Sequence, residues 1–210
     1  MNSGKLWLVD LLWDLGAIEL GSYNLGHTAK NSPIYINTKI ALLRPGPLNR
    51  IVGLLKQEIE LVKSRRDSSL QSFDIIAGVP VGGLLLSTAL GLETGRSTIY
   101  VRDDKKNQFN DHQQIEGSYL PGQTVLVIDD LTTGGHSIQS CVNTLRNNGL
   151  YVKNAISLID RGEGSSKMLA SNGISMHSII NLETLSMYLK ETKKISENEF
   201  IQINQYLNEK

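Results

Sequence analysis

The stretch Val125-Leu126-Val127-Ile128-Asp129-Asp130-Leu131-Thr132-Thr133-Gly134-Gly135-His136-Ser137 constrains the fold more than any other part of the chain. Apolar residues run straight into two carboxylates, then hydroxyls, then paired glycines. Ile138, Cys141, Val142 and Leu145 follow at helical spacing. The order reads as a buried strand over 124–128, a tight loop and a helix over 137–148. Backbone amides at such a helix start can ring a phosphate, and glycine removes the Cβ that would block its approach. Thr132, Thr133 and Ser137 can add hydroxyl donors. Asp129 and Asp130 would repel a phosphate, but they suit the hydroxyls of a sugar attached to it, as an acid does in dinucleotide sites. The loop Ile128–Ser137 therefore reads as a ribose-phosphate cradle. The plainer alternative is a tight turn with a Thr or Ser helix cap.

The flanking chain supports an α/β reading. Short apolar strands over 73–77, 97–101, 124–128 and 152–159 alternate with helical patterns over 82–92 and 137–148. That alternation predicts a mostly parallel central sheet with helices on both faces. Before it, Leu8, Leu11, Leu12 and Leu15 have helical spacing, residues 16–39 look extended and turn-rich, and Pro45 and Pro47 open an amphipathic helix through Val62. The expected organisation is a single domain over 1–210: an N-terminal hood over 1–45, a core over 46–182 and a helical, mainly structural tail over 183–210. Four polar or Gly-rich segments follow strand ends: Gly78–Gly83, Arg102–His112, Asp129–Ser137 and Asp160–Gly164. In a parallel sheet they gather at one edge, where ligands of such sheets bind.

Composition narrows the partners. Formal net charge is zero over 210 residues, which disfavours a broad nucleic-acid footprint. No apolar run approaches the ~18 residues of a membrane span. The first residues carry Asp10 and Asp14 and do not read as a signal peptide. The single cysteine, Cys141, excludes an intrachain disulfide, sits in an apolar helical pattern and suits a cytoplasmic setting.

With these residues in view, the cradle resembles the phosphoribosyl-pyrophosphate (PRPP) motif of type I phosphoribosyltransferases. Further segments resemble the orotate phosphoribosyltransferases among them: Asn31-Ser32-Pro33-Ile34-Tyr35-Ile36-Asn37, Arg44-Pro45, Phe73–Pro80, Ile115-Glu116-Gly117, Pro121-Gly122 and Leu158-Ile159-Asp160-Arg161. The similarity runs in order over roughly 10–185.

The resemblance implies a type I phosphoribosyltransferase fold with a small hood. It also implies Mg²⁺-dependent transfer of ribose 5-phosphate from PRPP to orotate, giving orotidine 5′-phosphate for pyrimidine synthesis. Implied PRPP-binding residues are Val81, Gly82, Arg102, Lys106, Asp129, Asp130, Leu131, Thr132, Thr133, Gly134, Gly135, His136 and Ser137. Lys106, Asp129 and Asp130 are the implied catalytic residues, and Tyr35, Ile36, Thr133 and Arg161 the implied orotate contacts. Arg161 suits a carboxylate because its guanidinium is a two-pronged fork; the alternative for it is a surface ion pair with Asp160 or Glu163. No direct protein ligand to Mg²⁺ is implied: the ion rides on PRPP, with Asp129 and Asp130 reached through water. A non-proline cis peptide is implied in the turn at Val81. A homodimer is implied, with the loop 102–114 serving the neighbouring site, and neither nucleic acid nor membrane as a partner.

The chain departs from the pattern in two places. The loop reads Arg102-Asp103-Asp104-Lys105-Lys106-Asn107-Gln108-Phe109, with Asp103 where a Lys is usual, Gln108 for a His and Phe109 for a Gly. The segment Leu25–Asn31 lacks the usual Lys after Leu25, with Lys30 as its candidate substitute, and in the loop His112 is the candidate for the missing His at a different spacing. Two other readings stand beside the first: transfer to a different base, or a non-catalytic PRPP-binding regulator.

Overall fold

The computed structural model describes residues 3–25, 29–64, 70, 72–102 and 114–209. Its centre is a six-stranded sheet in the order β5-β4-β3-β6-β7-β8. The strands are β3 (Ile75–Gly78), β4 (Thr98–Val101), β5 (Ile115–Glu116), β6 (Thr124–Thr132), β7 (Tyr151–Asp160) and β8 (Ser175–Asn181). Strands β4, β3, β6, β7 and β8 are mutually parallel, and β5 closes one edge antiparallel to β4. The parallel strands are continuous apolar runs because helices cover both faces.

On one face lie α3 (Pro45–Lys63) and α4 (Gly82–Thr94), together with α1 (Trp7–Asp14), α2 (Lys39–Leu42), α7 (Leu182–Glu191) and α8 (Glu197–Asn208). On the other lie α5 (His136–Asn147) and α6 (Ser165–Ser171). Helix α3 starts with Pro45 at its first position, where the missing N–H costs nothing. It buries Ile51, Val52, Leu55, Ile59 and Val62. Its buried Glu58 is neutralised by Lys5 at 2.5 Å. The hood is an antiparallel hairpin of β1 (Ile18–Leu25) and β2 (Ala29–Ile36), registered at Ile18 opposite Ile36.

The mostly parallel sheet with helices on both faces is the expected architecture. Three details differ from the sequence reading. Strand β6 runs to Thr132, so both acids lie inside the strand and only Thr133–Gly135 form the turn. The chain after Arg161 adds α6 and a sixth strand, β8; its buried Ile179 and Ile180 are too few to give a readable period. The tail is two helices, α8 beginning in a capping box between Ser196 and Glu199. Among the described residues no helix is long and apolar enough to cross a membrane.

Candidate functional site

The parallel strands β3, β6 and β7 end side by side, with Gly78 opposite Ile128 and Thr132 opposite Asp160. That edge brings together the β3–α4 turn, the end of β6, the start of α5 and the Asp160-Arg161 pair, with the hood above. The gathering expected from the sequence is therefore present for three of the four segments. Of the fourth, residues 103–113 lie outside the described residues, among them Asp103, Lys106, Gln108, Phe109 and His112.

Asp130 is the focus. Its Oδ2 accepts a hydrogen bond from Thr38 Oγ1 and another from Lys39 Nζ at 2.9 Å. Both donors follow β2, at the start of α2, so the hood reaches down onto the end of β6. Gly82 lies directly against the same carboxyl: a Cβ there would overlap it. The β3–α4 turn, the β6 acid and the hood thus meet at one point. Val81 precedes α4, is exposed, and follows a cis Pro80–Val81 peptide, as the resemblance implied.

Asp129 precedes Asp130 on β6. Successive side chains of a strand alternate faces, and the Asp129 carboxyl is felt by the Cys141 thiol on α5. Its Oδ1 accepts the backbone N–H of Asp130 at 2.9 Å. Burial, with the Asp130 carboxyl beside it, pushes the Asp129 carboxyl well above the ordinary carboxylate range. The sequence reading sets both acids on one sugar; β6 continues through them, and their carboxyls stay close enough to interact. Cys141 is buried core, and burial pushes its thiol up to about 12, far from a reactive thiolate.

Past the acids, Leu131 is half-buried, Thr132 buried and Thr133 half-buried, and Gly134 and Gly135 are buried in the turn. Gly135 holds φ 79° next to Met168 and Leu169, a conformation and a space that a side chain would spoil. His136 and Ser137 open α5 and are exposed. The loop therefore offers a helix start with its amides toward the sheet edge.

Arg161 is the largest fully buried side chain of the protein. Its Nε donates to Glu163 Oε1 at 2.8 Å, Nη1 to the Ile34 carbonyl at 3.2 Å and Nη2 to Ser32 Oγ at 2.7 Å. Its backbone N–H bonds Thr132 O at 3.0 Å, tying it to the cradle strand. The surface-pair alternative is corrected here: the pair with Glu163 exists but is buried, with side-chain exposures of 0% and 2%. Asp160 is not its partner, since it accepts from Gly162 N, Ser165 Oγ and Ser166 Oγ at the start of α6. Tyr206 of α8 also reaches the Arg161–Glu163 pair.

Tyr35 and Ile36 fall on opposite faces of β2. Ile36 joins the core with Ile34, and Tyr35 lies against Tyr23 with ring centroids 5.5 Å apart. Arg102 ends β4 and pairs with Glu116 at 2.6 Å. Lys30 is exposed. Thr38 and Lys39 were missed because they follow directly on the matched Ser32–Asn37 segment and no spacing rule links them to an acid 91 residues away. Among the described residues no three His, Cys, Asp or Glu side chains gather as a metal cluster. Asp129 and Asp130, the neighbouring acids of β6, are the described carboxylates that could hold the waters of a cation carried in on its ligand.

Comparison with known proteins agrees with this geometry. Residues 49–191 match the phosphoribosyl transferase domain. The chain is 30% identical to uridine 5′-monophosphate synthase of Bos taurus over 96% of its own length, but it spans only 40% of that protein. It is 31% identical to orotate phosphoribosyltransferase of Methanocorpusculum labreanum, over 85% of this chain and 96% of that one. The solved orotate phosphoribosyltransferase of Aeropyrum pernix superposes with a TM-score of 0.72 at 29% identity, covering 89% of this chain and 99% of that one.

Proposed function

This chain belongs to the phosphoribosyl transferase family, on the side of the orotate phosphoribosyltransferases, and from that premise we propose that it transfers ribose 5-phosphate from PRPP to orotate. The observation that carries the reading is the meeting of Gly82, Asp130 and the hood at the carboxyl edge of a parallel sheet. A sugar held there has a phosphate-binding helix start on one side and the β3–α4 turn on the other.

In the reaction a ring nitrogen of orotate forms a bond to C1′ as the C1′–oxygen bond to pyrophosphate breaks, and that electron pair leaves with pyrophosphate. Orotate arrives as an anion, so little proton chemistry is needed, and catalysis rests on positioning and on stabilising the leaving group. The turn 131–137, opening α5, holds the 5-phosphate. Asp130 orients the ribose hydroxyls, and Asp129 secures the strand end behind it through the Asp130 N–H. Val81 and Gly82 border the pyrophosphate. Arg102, at the start of the loop 102–114, and Lys106, within it, neutralise it, and the loop excludes water that would compete as nucleophile. Asp129 and Asp130 would hold the waters of a Mg²⁺ ion bound with PRPP, and that ion would supply charge to offset the pyrophosphate. Thr133 and Arg161, just past the paired ends of β6 and β7, face the orotate, with Ile36 on the hood strand above. The working unit is a cytoplasmic homodimer whose loop 102–114 serves the partner's site.

One observation favours a second reading, transfer to a base without a carboxylate. Arg161 is sealed, with Glu163 on its Nε and Ile34 and Ser32 on its terminal nitrogens. Orotate use requires the orotate carboxylate to replace one of these partners or share its nitrogen. The deciding experiment incubates the protein with PRPP and Mg²⁺ and, separately, orotate, uracil or adenine, then separates the nucleotide products. Orotidine 5′-phosphate supports the first reading. A nucleotide of uracil or adenine alone supports the second.

A further inference from the structure

A polyphosphate bound beside Gly82 needs cations there, and without it the two described arginines assigned to the site already hold carboxylates. Arg161 is buried on Glu163, Ser32 and Ile34, and Arg102 is paired with Glu116 on the edge strand. Position 82 cannot contribute one, because any side chain on Gly82 would run into the Asp130 carboxyl. That carboxyl is held in place by Thr38 and Lys39. The posture of Asp130 and a side chain at 82 are mutually exclusive.

Lys39 stands where the missing charge is wanted. Its Nζ is 2.9 Å from Asp130 Oδ2, the same carboxyl abuts Gly82, and α2 packs on α4, so the ammonium and the β3–α4 turn meet at one acid. The phosphate-binding start of α5 lies beyond Thr132, further along the chain from the acid. The Lys39 side chain is 45% exposed, and an ammonium has three donors, so it can keep Asp130 and take a second anion. Its main chain is held by α2, which packs against α1, α3 and α4. We infer that Lys39 is a pyrophosphate-binding residue of this enzyme, supplying from the hood the cation that the Gly82 turn cannot carry while also setting the orientation of Asp130. The inference rests on the reading of the site as a PRPP site.

Calorimetric titration of the full-length protein with PRPP, pyrophosphate and ribose 5-phosphate, each with Mg²⁺, tests it in the wild type and in Lys39→Met, Lys39→Gln and Lys39→Arg. Loss of a charge-assisted contact weakens binding about tenfold or more. The expected result is that loss for PRPP and pyrophosphate in the Met and Gln variants, with ribose 5-phosphate changed less than about twofold and Lys39→Arg recovering most of the affinity. Equal losses for pyrophosphate and ribose 5-phosphate overturn the inference, because Lys39 would then act only through Asp130. Unchanged pyrophosphate binding in a folded Met or Gln variant overturns it outright. Orotate turnover is measured on the same wild-type preparation: intact pyrophosphate binding without transfer strikes the functional reading and leaves the Lys39 comparison valid. A wild type that binds neither PRPP nor pyrophosphate overturns both.

Discussion

Glu163 accepts from Arg161 Nε at 2.8 Å, and both side chains are closed to solvent. The acid therefore holds the guanidinium that a substrate carboxylate would use. Removing one partner of a buried pair costs about 3–5 kcal/mol when the other charge is left uncompensated. Glu163→Gln keeps the shape and loses the charge, so its unliganded form should unfold several degrees below the wild type. Orotate should then stabilise the variant more than it stabilises the wild type, because it restores the missing negative charge. Thermal shift with and without orotate reads this directly. Equal orotate shifts in the two proteins would remove Arg161 from the orotate site.

Burial raises the Asp129 carboxyl above its value in the unfolded chain. A folded value raised in this way contributes stability fully below about pH 4, the unfolded carboxyl value, and loses it as pH rises through the folded value. Asp129→Asn keeps the neutral form at every pH. The variant should match the wild type near pH 4 and exceed it increasingly toward pH 8, by a few degrees where about 1 kcal/mol moves the midpoint ~2–4 °C. A gap in melting temperature that stays constant from pH 4 to 8 would contradict a neutral, buried Asp129.

Gly82→Ala forces its Cβ into the Asp130 carboxyl, which Thr38 and Lys39 hold in place. Overpacking of this kind costs about 1–3 kcal/mol. The variant should melt lower and bind PRPP more weakly. Asp130→Ala removes the obstacle, so Gly82→Ala should cost much less in the Asp130→Ala background. A double-mutant cycle with no coupling would mean that the two residues do not meet.

Much of this was legible in the sequence because strong local signals coincide. Val125–Ile128 can only be a buried strand, and Gly134-Gly135 before an amphipathic run marks a helix entered through a tight turn. The α/β order and the edge at which the turns gather follow from those elements. Strand length was not legible: Asp129 and Asp130 read as loop because charge is rare inside a strand, and the extension depends on β7 pairing along Leu131 and Thr132. Contacts between distant segments were also hidden. Nothing local marks Lys39 as the partner of Asp130, or Ser32 and Ile34 as those of Arg161, because the hood brings them in only when the chain has folded.

The central claim is tested most directly by following the loss of orotate absorbance with PRPP and Mg²⁺ in the wild type and in Asp130→Asn, with PRPP binding measured alongside. The expected result is PRPP-dependent orotate consumption by the wild type. In Asp130→Asn it should fall by about two orders of magnitude or more, since a positioning contact to the ribose is lost. PRPP binding by the wild type with no consumption of orotate would contradict the account.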